Sequence, residues 1–203
     1  MKHDLIFNPW RRGSEPFIDM DVRSQQWKRV KDIEGDKKYS LVYADSTDLP
    51  HVPNKTEAVY IMGGHCSRGF SYVFWKRKRG KEHRMTFEEY FQSFRGIFDT
   101  KINFNVKVYS CWSAQGTPKE DPFALRFGRL MREKGYKSCT IWGYTKRIEQ
   151  WYTGGQAGKE IKKLEKRLYP ELDSEKAALF AQTGTAFTSM WVAIEEALVR
   201  IEV

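Results

Sequence analysis

Two short apolar segments of the chain each end at a side chain that is capable of nucleophilic chemistry. Residues 60–64 lead into His65, and residues 106–110 lead into Cys111. A neutral imidazole takes the proton of a thiol or stabilises its thiolate, and the thiolate is the form that attacks a carbonyl carbon. The pair therefore predicts a cysteine nucleophile, Cys111, that is assisted by His65.

This chemistry requires that both segments be neighbouring parallel strands. Their carboxyl ends would then open into one crevice, which is where open α/β sheets bind ligands. The nearly continuous apolar character of residues 58–62 is typical of a strand that is buried on both faces of a parallel sheet. Two glycines, Gly63 and Gly64, stand directly before His65.

The pattern from residue 39 to residue 144 predicts an α/β sheet with helices on its faces. Strands are indicated at 39–44, 57–62, 106–110 and 136–144, with a hairpin after 71. One helix begins at Thr86, which forms a capping box with Glu89, and a second begins with Asp121 as its cap and Pro122 at its first position. Alternation of this kind is typical of α/β proteins.

The two ends of the chain give weaker patterns. Residues 1–37 predict an irregular N-terminal arm with a short helix at 23–30, and residues 156–203 predict C-terminal helices. With a catalytic core at 39–148 between them, the 203 residues are expected to form a single domain.

Composition excludes several classes of protein. No run approaches the roughly 18 apolar residues of a membrane span, and the first residues lack the apolar core of a secretory signal. We therefore expect a cytoplasmic protein, or one that leaves the cell by a route that needs no cleaved signal. Three cysteines without a CxxC pair argue against a disulfide framework or a zinc knuckle, and no two of the four histidines have i,i+4 spacing, so no metal site is expected.

The net charge of +9 is concentrated in the middle of the chain. Residues 51–150 carry 19 basic and nine acidic side chains, so the whole excess lies in the half that holds His65 and Cys111. Such an excess attracts anions, although it also occurs on ordinary solvated surfaces. The densest cluster is predicted as an anion-binding loop for a polyphosphate, an acidic peptide or nucleic acid, and consists of Lys76, Arg77, Lys78, Arg79, Lys81 and Arg84.

These segments together resemble the caspase-like cysteine peptidases of the clan CD type. The resemblance rests on residues 58–65, 106–116, 123–130 and 140–145, and on a cysteine that follows its histidine by 46 residues. Within that family the chain is most similar to the bacterial toxin and effector branch, as in the self-processing protease domain of the multifunctional autoprocessing repeat toxins (MARTX).

The resemblance implies a caspase-like three-layer fold with a mostly parallel central sheet flanked by helices. It implies a cysteine endopeptidase in which Cys111 attacks, His65 protonates the leaving amine, and backbone N–H groups at Cys66 and Cys111 hold the oxyanion. Trp142 and Tyr144 are expected to shape the substrate pocket, and Asp45 is the candidate acid that lines it. The substrate would be a host protein or the chain itself, with no required cofactor and with inositol hexakisphosphate as a candidate activator.

The sequence departs from this family at one position that matters. Family members place glycine directly after the histidine, whereas here Cys66 occupies that position. Two alternatives stay open at this point: a basic module that binds nucleic acid or acidic proteins on an inactive caspase-like fold, and a thiol acyltransferase that uses the same dyad.

Overall fold

The computed structural model describes residues 2–34, 37–46, 56–76, 80–145 and 198–203. In chain order the elements are β1 (His3–Asn8), α1 (Glu15–Glu34), β2 (Lys38–Tyr43), β3 (Thr56–Gly64), β4 (Tyr72–Lys76), β5 (Glu82–Thr86), α2 (Phe87–Arg95), β6 (Asn105–Ser110), α3 (Phe123–Glu133), β7 (Thr140–Tyr144) and β8 (Leu198–Ile201).

Six of the strands form one sheet in the order β2-β1-β3-β6-β7-β8, and the hairpin β4-β5 forms a separate small sheet. All neighbouring pairs in the large sheet are parallel except β7 with β8. The predicted fold class, an α/β fold with a mostly parallel central sheet flanked by helices, is confirmed. Because β3 and β6 are adjacent, the two segments singled out by their chemistry are next to each other.

The helices cover both faces of the sheet. Successive residues of a strand point to opposite faces, and Phe7 of β1 packs on Phe94 of α2, while Tyr60, whose strand partner is Ile6, packs on Trp27 of α1. Helix α1 therefore lies on one face, and α2 lies on the other together with α3, which contacts it through Phe94 and Phe127. This is a three-layer arrangement around one apolar core.

The two helices of the central region, α2 and α3, begin close to the predicted residues, but one of the two predicted caps is wrong. Thr86 and Glu89 form the predicted capping box at the start of α2. At α3 the N-cap is Pro122, without a side-chain cap, so the prediction of Asp121 as the cap was wrong. The Asp121 carboxylate instead pairs with Arg129, one of two arginines of α3 that contact this turn.

Both ends of the chain are more regular than the sequence predicted. The prediction of an irregular arm at 1–37 was wrong, because this region contains β1, a strand inside the sheet, and the 20-residue helix α1. Residues 198–201 were predicted as helix and instead form the edge strand β8. The other C-terminal helices, predicted within 156–197, lie outside the described residues.

All the described residues belong to one compact unit, which takes in both the region up to residue 145 and the final strand. Among the helices of these residues, none is both long and apolar enough to cross a membrane.

Candidate functional site

Two glycines set the position of His65 at the end of β3. A Cβ at Gly63 would lie 2.8 Å from the ring of Tyr90, so only glycine allows α2 to pack this closely. Gly64 has a φ of 99° and leaves 2.9 Å between such a Cβ and the carbonyl oxygen of Phe74. The chain can therefore turn toward β4, where His65 exchanges two backbone hydrogen bonds with Phe74, each of 2.8 Å. The imidazole is left exposed at the sheet edge.

Cys111 begins a tight turn at the end of β6, and the residue after it has a strained backbone. Trp112 has a φ of 56°, and it is the one described residue other than glycine with a positive φ. This conformation is rare for a bulky residue and costs about 1–3 kcal/mol. Ser113, which is buried, holds the turn: its hydroxyl donates to the Val108 carbonyl and accepts from the Tyr144 N–H, both at 3.0 Å.

The loop after His65 and the loop after Cys111 are in direct contact. The guanidinium of Arg68 lies 4.3 Å from the ring centroid of Trp112, and the Gly69 N–H donates to the Gln115 carbonyl at 3.0 Å. The strand register that leads into the loops, Gly64 opposite Ser110, places the two chain ends side by side. The structure thus brings together the two predicted loops.

The three cysteines have different surroundings. Burial raises the pKa of the Cys66 thiol to about 12, with a smaller contribution from the neighbouring Cys111, and burial raises that of Cys139 to about 11. Both are therefore protonated at neutral pH and poor nucleophiles. Cys139 also lies just before β7, at the amino end of that strand, whereas Cys111 follows the carboxyl end of β6. Cys111 is 9% exposed, against 3% for Cys66.

The backbone N–H of Cys66 is a predicted oxyanion donor. Within the described part of the chain no hydrogen-bond acceptor lies against it, whereas the N–H of His65 is committed to Phe74. A backbone donor does not depend on the side chain of its residue, so the cysteine side chain at position 66 does not remove this donor.

Asp45 is not brought to His65. It follows β2, and β1 separates that strand from β3. Its carboxylate accepts from the backbone N–H of Arg12 at 3.0 Å and from the guanidinium of the same residue at 3.5 Å. The described contacts make Asp45 the partner of Arg12.

The two predicted pocket residues of β7 have different surroundings. Tyr144 is 1% exposed and packs edge-to-face on Tyr109, so its side chain lies in the core. Trp142 is half-buried and donates its indole N–H to the Asn105 side chain at 2.8 Å. Since Asn105 begins β6, this indole is directed toward the amino ends of the strands.

The predicted anion-binding cluster is described only in part, because Arg77, Lys78 and Arg79 lie outside the described residues. Lys76 and Lys81 are exposed at the hairpin. The Arg84 guanidinium pairs with Glu82 and lies 4.6 Å from the ring centroid of Tyr72.

Sequence reasoning did not single out Arg68, Trp112 or Ser113 as site residues. Only one pattern pointed to them: each lies one to three residues after His65 or Cys111, in a loop whose polar and aromatic residues can contact a neighbouring loop. Their roles depend on contacts between distant segments: Arg68 and Trp112 are 44 residues apart in sequence, and Ser113 and Tyr144 are 31 apart.

The described residues contain no group of three or more His, Cys, Asp or Glu side chains that could hold a metal ion. No model of a known protein family matches the chain, and no curated protein gives a significant match to it. Inference about function therefore starts from the geometry of the two loops.

Proposed function

We propose that the protein is a cysteine peptidase in which Cys111 is the nucleophile and His65 the general acid and base. The observation that carries this proposal is the contact between the two loops, through Arg68 with Trp112 and Gly69 with Gln115, at one edge of the sheet. A histidine and a cysteine at adjacent strand ends can meet in the arrangement that activates a thiol.

The reaction would proceed through an acyl-enzyme. His65 takes the thiol proton of Cys111, and the sulfur attacks the peptide carbonyl carbon. The developing oxyanion is held by backbone N–H groups, for which the N–H of Cys66, with no acceptor among the described residues, is the best candidate. His65 then protonates the leaving amine, and water, activated by the same imidazole, hydrolyses the thioester.

The strained turn supports Cys111 over the other two thiols as the nucleophile. Strained backbone conformations cluster at active sites, where the surrounding structure holds a side chain in position for reaction. The buried hydroxyl of Ser113 and the left-handed Trp112 fix the chain directly after Cys111. In the part of the chain that the structure describes, Cys139 has no comparable strained turn beside it, and its sulfur contacts the Ile102 carbonyl.

The substrate we propose is a protein, either a host protein or the chain itself, and the proposed activator is inositol hexakisphosphate, which the basic middle of the chain would attract. The activator is tested separately by calorimetry. An absence of heat on titration into the purified protein would remove it from the proposal without affecting the dyad.

The dyad is tested by comparing the wild type with Cys111→Ala and His65→Ala. Each protein is treated with an electrophilic peptide and examined for self-cleavage, with and without inositol hexakisphosphate. We expect covalent labelling to be lost in Cys111→Ala and slowed about 100-fold or more in His65→Ala, because general base catalysis contributes on that scale.

Two further variants control for the neighbouring thiols. Cys66→Ser and Cys139→Ser remove thiols whose pKa is raised by burial, so we expect labelling to persist in both. Equal behaviour of the wild type, Cys111→Ala and His65→Ala would overturn the peptidase proposal.

A further inference from the structure

Three aromatic rings form a half-buried cluster on the outer face of the β4-β5 hairpin. The ring centroids of Phe70 and Tyr72 are 4.8 Å apart, and each lies 6.3 Å from that of Phe74. The alternate residues of β4, Val73 and Trp75, point inward and are buried. We call Phe70, Tyr72 and Phe74 the aromatic cluster.

The aromatic cluster is in contact with the candidate histidine, His65. The imidazole of His65 and the ring of Phe74 are 5.6 Å apart between centroids. Their backbones exchange the two hydrogen bonds of 2.8 Å already described, so the hairpin and the end of β3 are held in register. A ligand group that reaches past His65 therefore meets aromatic surface.

The aromatic cluster is also in contact with a charged pair, Arg84 and Glu82. Arg84, which is opposite Phe74 in the hairpin, lies over Tyr72 at 4.6 Å and pairs with Glu82. These contacts fix the ring of Tyr72 before any ligand arrives. Fixed aromatic rings that are half open to water gain free energy when an apolar group covers them, and little of it is lost to ordering.

The position beside His65 determines which part of a substrate would meet these rings. In the reaction proposed above, His65 delivers a proton to the leaving amine, so groups in contact with the imidazole adjoin the leaving-group half of the substrate. We infer that Phe70, Tyr72 and Phe74 bind an aromatic or large aliphatic side chain of the residue that follows the scissile bond. This inference rests on the proposed function.

The inference is tested by acyl transfer, which needs no knowledge of the residue before the scissile bond. Cys111 attacks p-nitrophenyl acetate, so that the S–C bond forms and p-nitrophenolate leaves. The amine of an added amino-acid amide then attacks the acetyl carbon, the C–S bond breaks, and the amine proton passes through His65 to the solvent or to the thiolate. The amide occupies the leaving-group site.

The measured quantity is the ratio of acetylated amide to acetate. We expect phenylalanine amide to give a ratio roughly tenfold above that of alanine amide, as expected for the burial of a phenyl ring. In Phe74→Ala and in Tyr72→Ala the two amides should give similar ratios. Phe87→Ala is the matched control: Phe87 is also half-buried but lines a different pocket of about 520 Å³, and this variant should keep the preference.

Release of p-nitrophenol separates the failure of the inference from failure of the proposed function. If release does not depend on Cys111 and His65, the proposed function fails. If release does depend on them but phenylalanine and alanine amides are used equally by the wild type, the inference alone is overturned.

A preference that survives both Tyr72→Ala and Phe74→Ala would likewise overturn it. So would binding of a single-stranded oligonucleotide that weakens in these two variants while the amide ratio stays unchanged, because the rings would then stack on bases.

Discussion

At the scale of single residues, the candidate nucleophile depends on a serine that takes no part in the chemistry. The hydroxyl of Ser113 bridges the Val108 carbonyl of β6 and the Tyr144 N–H of β7, and the Ser113 carbonyl accepts from Ala124 at 2.8 Å. These bonds tie the turn after Cys111 to two strands and to the start of α3. They offset the backbone strain at Trp112.

We expect Ser113→Ala to lower the free energy of unfolding by about 2 kcal/mol, because it leaves a buried carbonyl and a buried N–H without a partner. Labelling of Cys111 by an electrophilic peptide should slow in the folded protein. Urea unfolding and labelling kinetics measure the two effects.

Ser93→Ala serves as the control, because the Ser93 hydroxyl bonds to the Glu89 carbonyl on an exposed helix face. That variant should change the free energy of unfolding by no more than about 0.5 kcal/mol. Equal effects of the two substitutions would show that Ser113 has no special role in the turn.

The sequence identified the two loops of the site better than the residues around them. His65 and Cys111 stand at strand ends, and a strand end is readable from local pattern alone. The partner of Asp45 was not readable, because Arg12 approaches from a loop 33 residues earlier in the chain. The burial of Tyr144 also depends on a distant residue, Tyr109 of the neighbouring strand.

At the scale of elements, the β4-β5 hairpin contacts the end of β3 through the backbone hydrogen bonds between His65 and Phe74. Gly64 makes this contact possible. Its positive φ turns the chain, and the missing side chain allows the Phe74 carbonyl to approach. The position of His65 therefore depends on packing between two sheets that are otherwise separate.

We expect Gly64→Ala to destabilise the fold by more than about 2 kcal/mol, because it adds a steric clash with Phe74 to the cost of a left-handed alanine. Gly13→Ala is the matched control. Gly13 has a similar φ of 79°, but a Cβ there would have no neighbour within 4 Å, so the variant should lose only about 1 kcal/mol. Thermal or urea unfolding of the two variants gives the comparison, and similar losses would show that the Phe74 contact is unimportant.

The elements that sequence reasoning missed are those whose stability is non-local. Helix α1 presents acids toward the interior, where the Asp19 carboxylate accepts from the Trp75 indole at 2.9 Å and Asp21 accepts from the Tyr43 hydroxyl at 2.7 Å. Those buried acids disrupt the apolar stripe by which a helix is recognised. Strand β8 is four residues long, and β7, the antiparallel strand beside it, ends more than 50 residues earlier in the chain.

At the scale of the whole molecule, the carboxyl ends and the amino ends of the parallel strands have different chemistry. The candidate site occupies the carboxyl ends of β3 and β6, whereas the amino ends carry an ion-pair network. There the buried Asp4 carboxylate accepts from Lys37 at 3.2 Å and from the Ala58 N–H at 2.9 Å, while Glu57 pairs with Lys37 and Lys2. The network joins β1 and β3 to the residue before β2, so protonation at this edge affects the stability of the central sheet.

Asp4 and Glu57 should affect the pH dependence of stability in opposite directions. Burial raises the pKa of Asp4 above its ordinary value of 3.8, although Lys37 partly opposes the shift. Hydrogen bonds from Lys37 and Lys2 lower the pKa of Glu57 below 4.5. The folded state thus binds the proton of Asp4 more tightly than the unfolded state does, and the proton of Glu57 less tightly.

We therefore compare Asp4→Asn and Glu57→Gln with the wild type by urea unfolding at about pH 7 and about pH 4.5. As the pH falls, the Asp4 contribution to stability grows, so the difference in free energy of unfolding between wild type and Asp4→Asn should move in favour of the wild type. The Glu57 contribution is present above its unfolded pKa and is lost as the pH falls, so the corresponding difference for Glu57→Gln should move against the wild type. Shifts of the same sign in both variants would contradict the assignment of a buried carboxyl to Asp4 and an exposed, ion-paired one to Glu57.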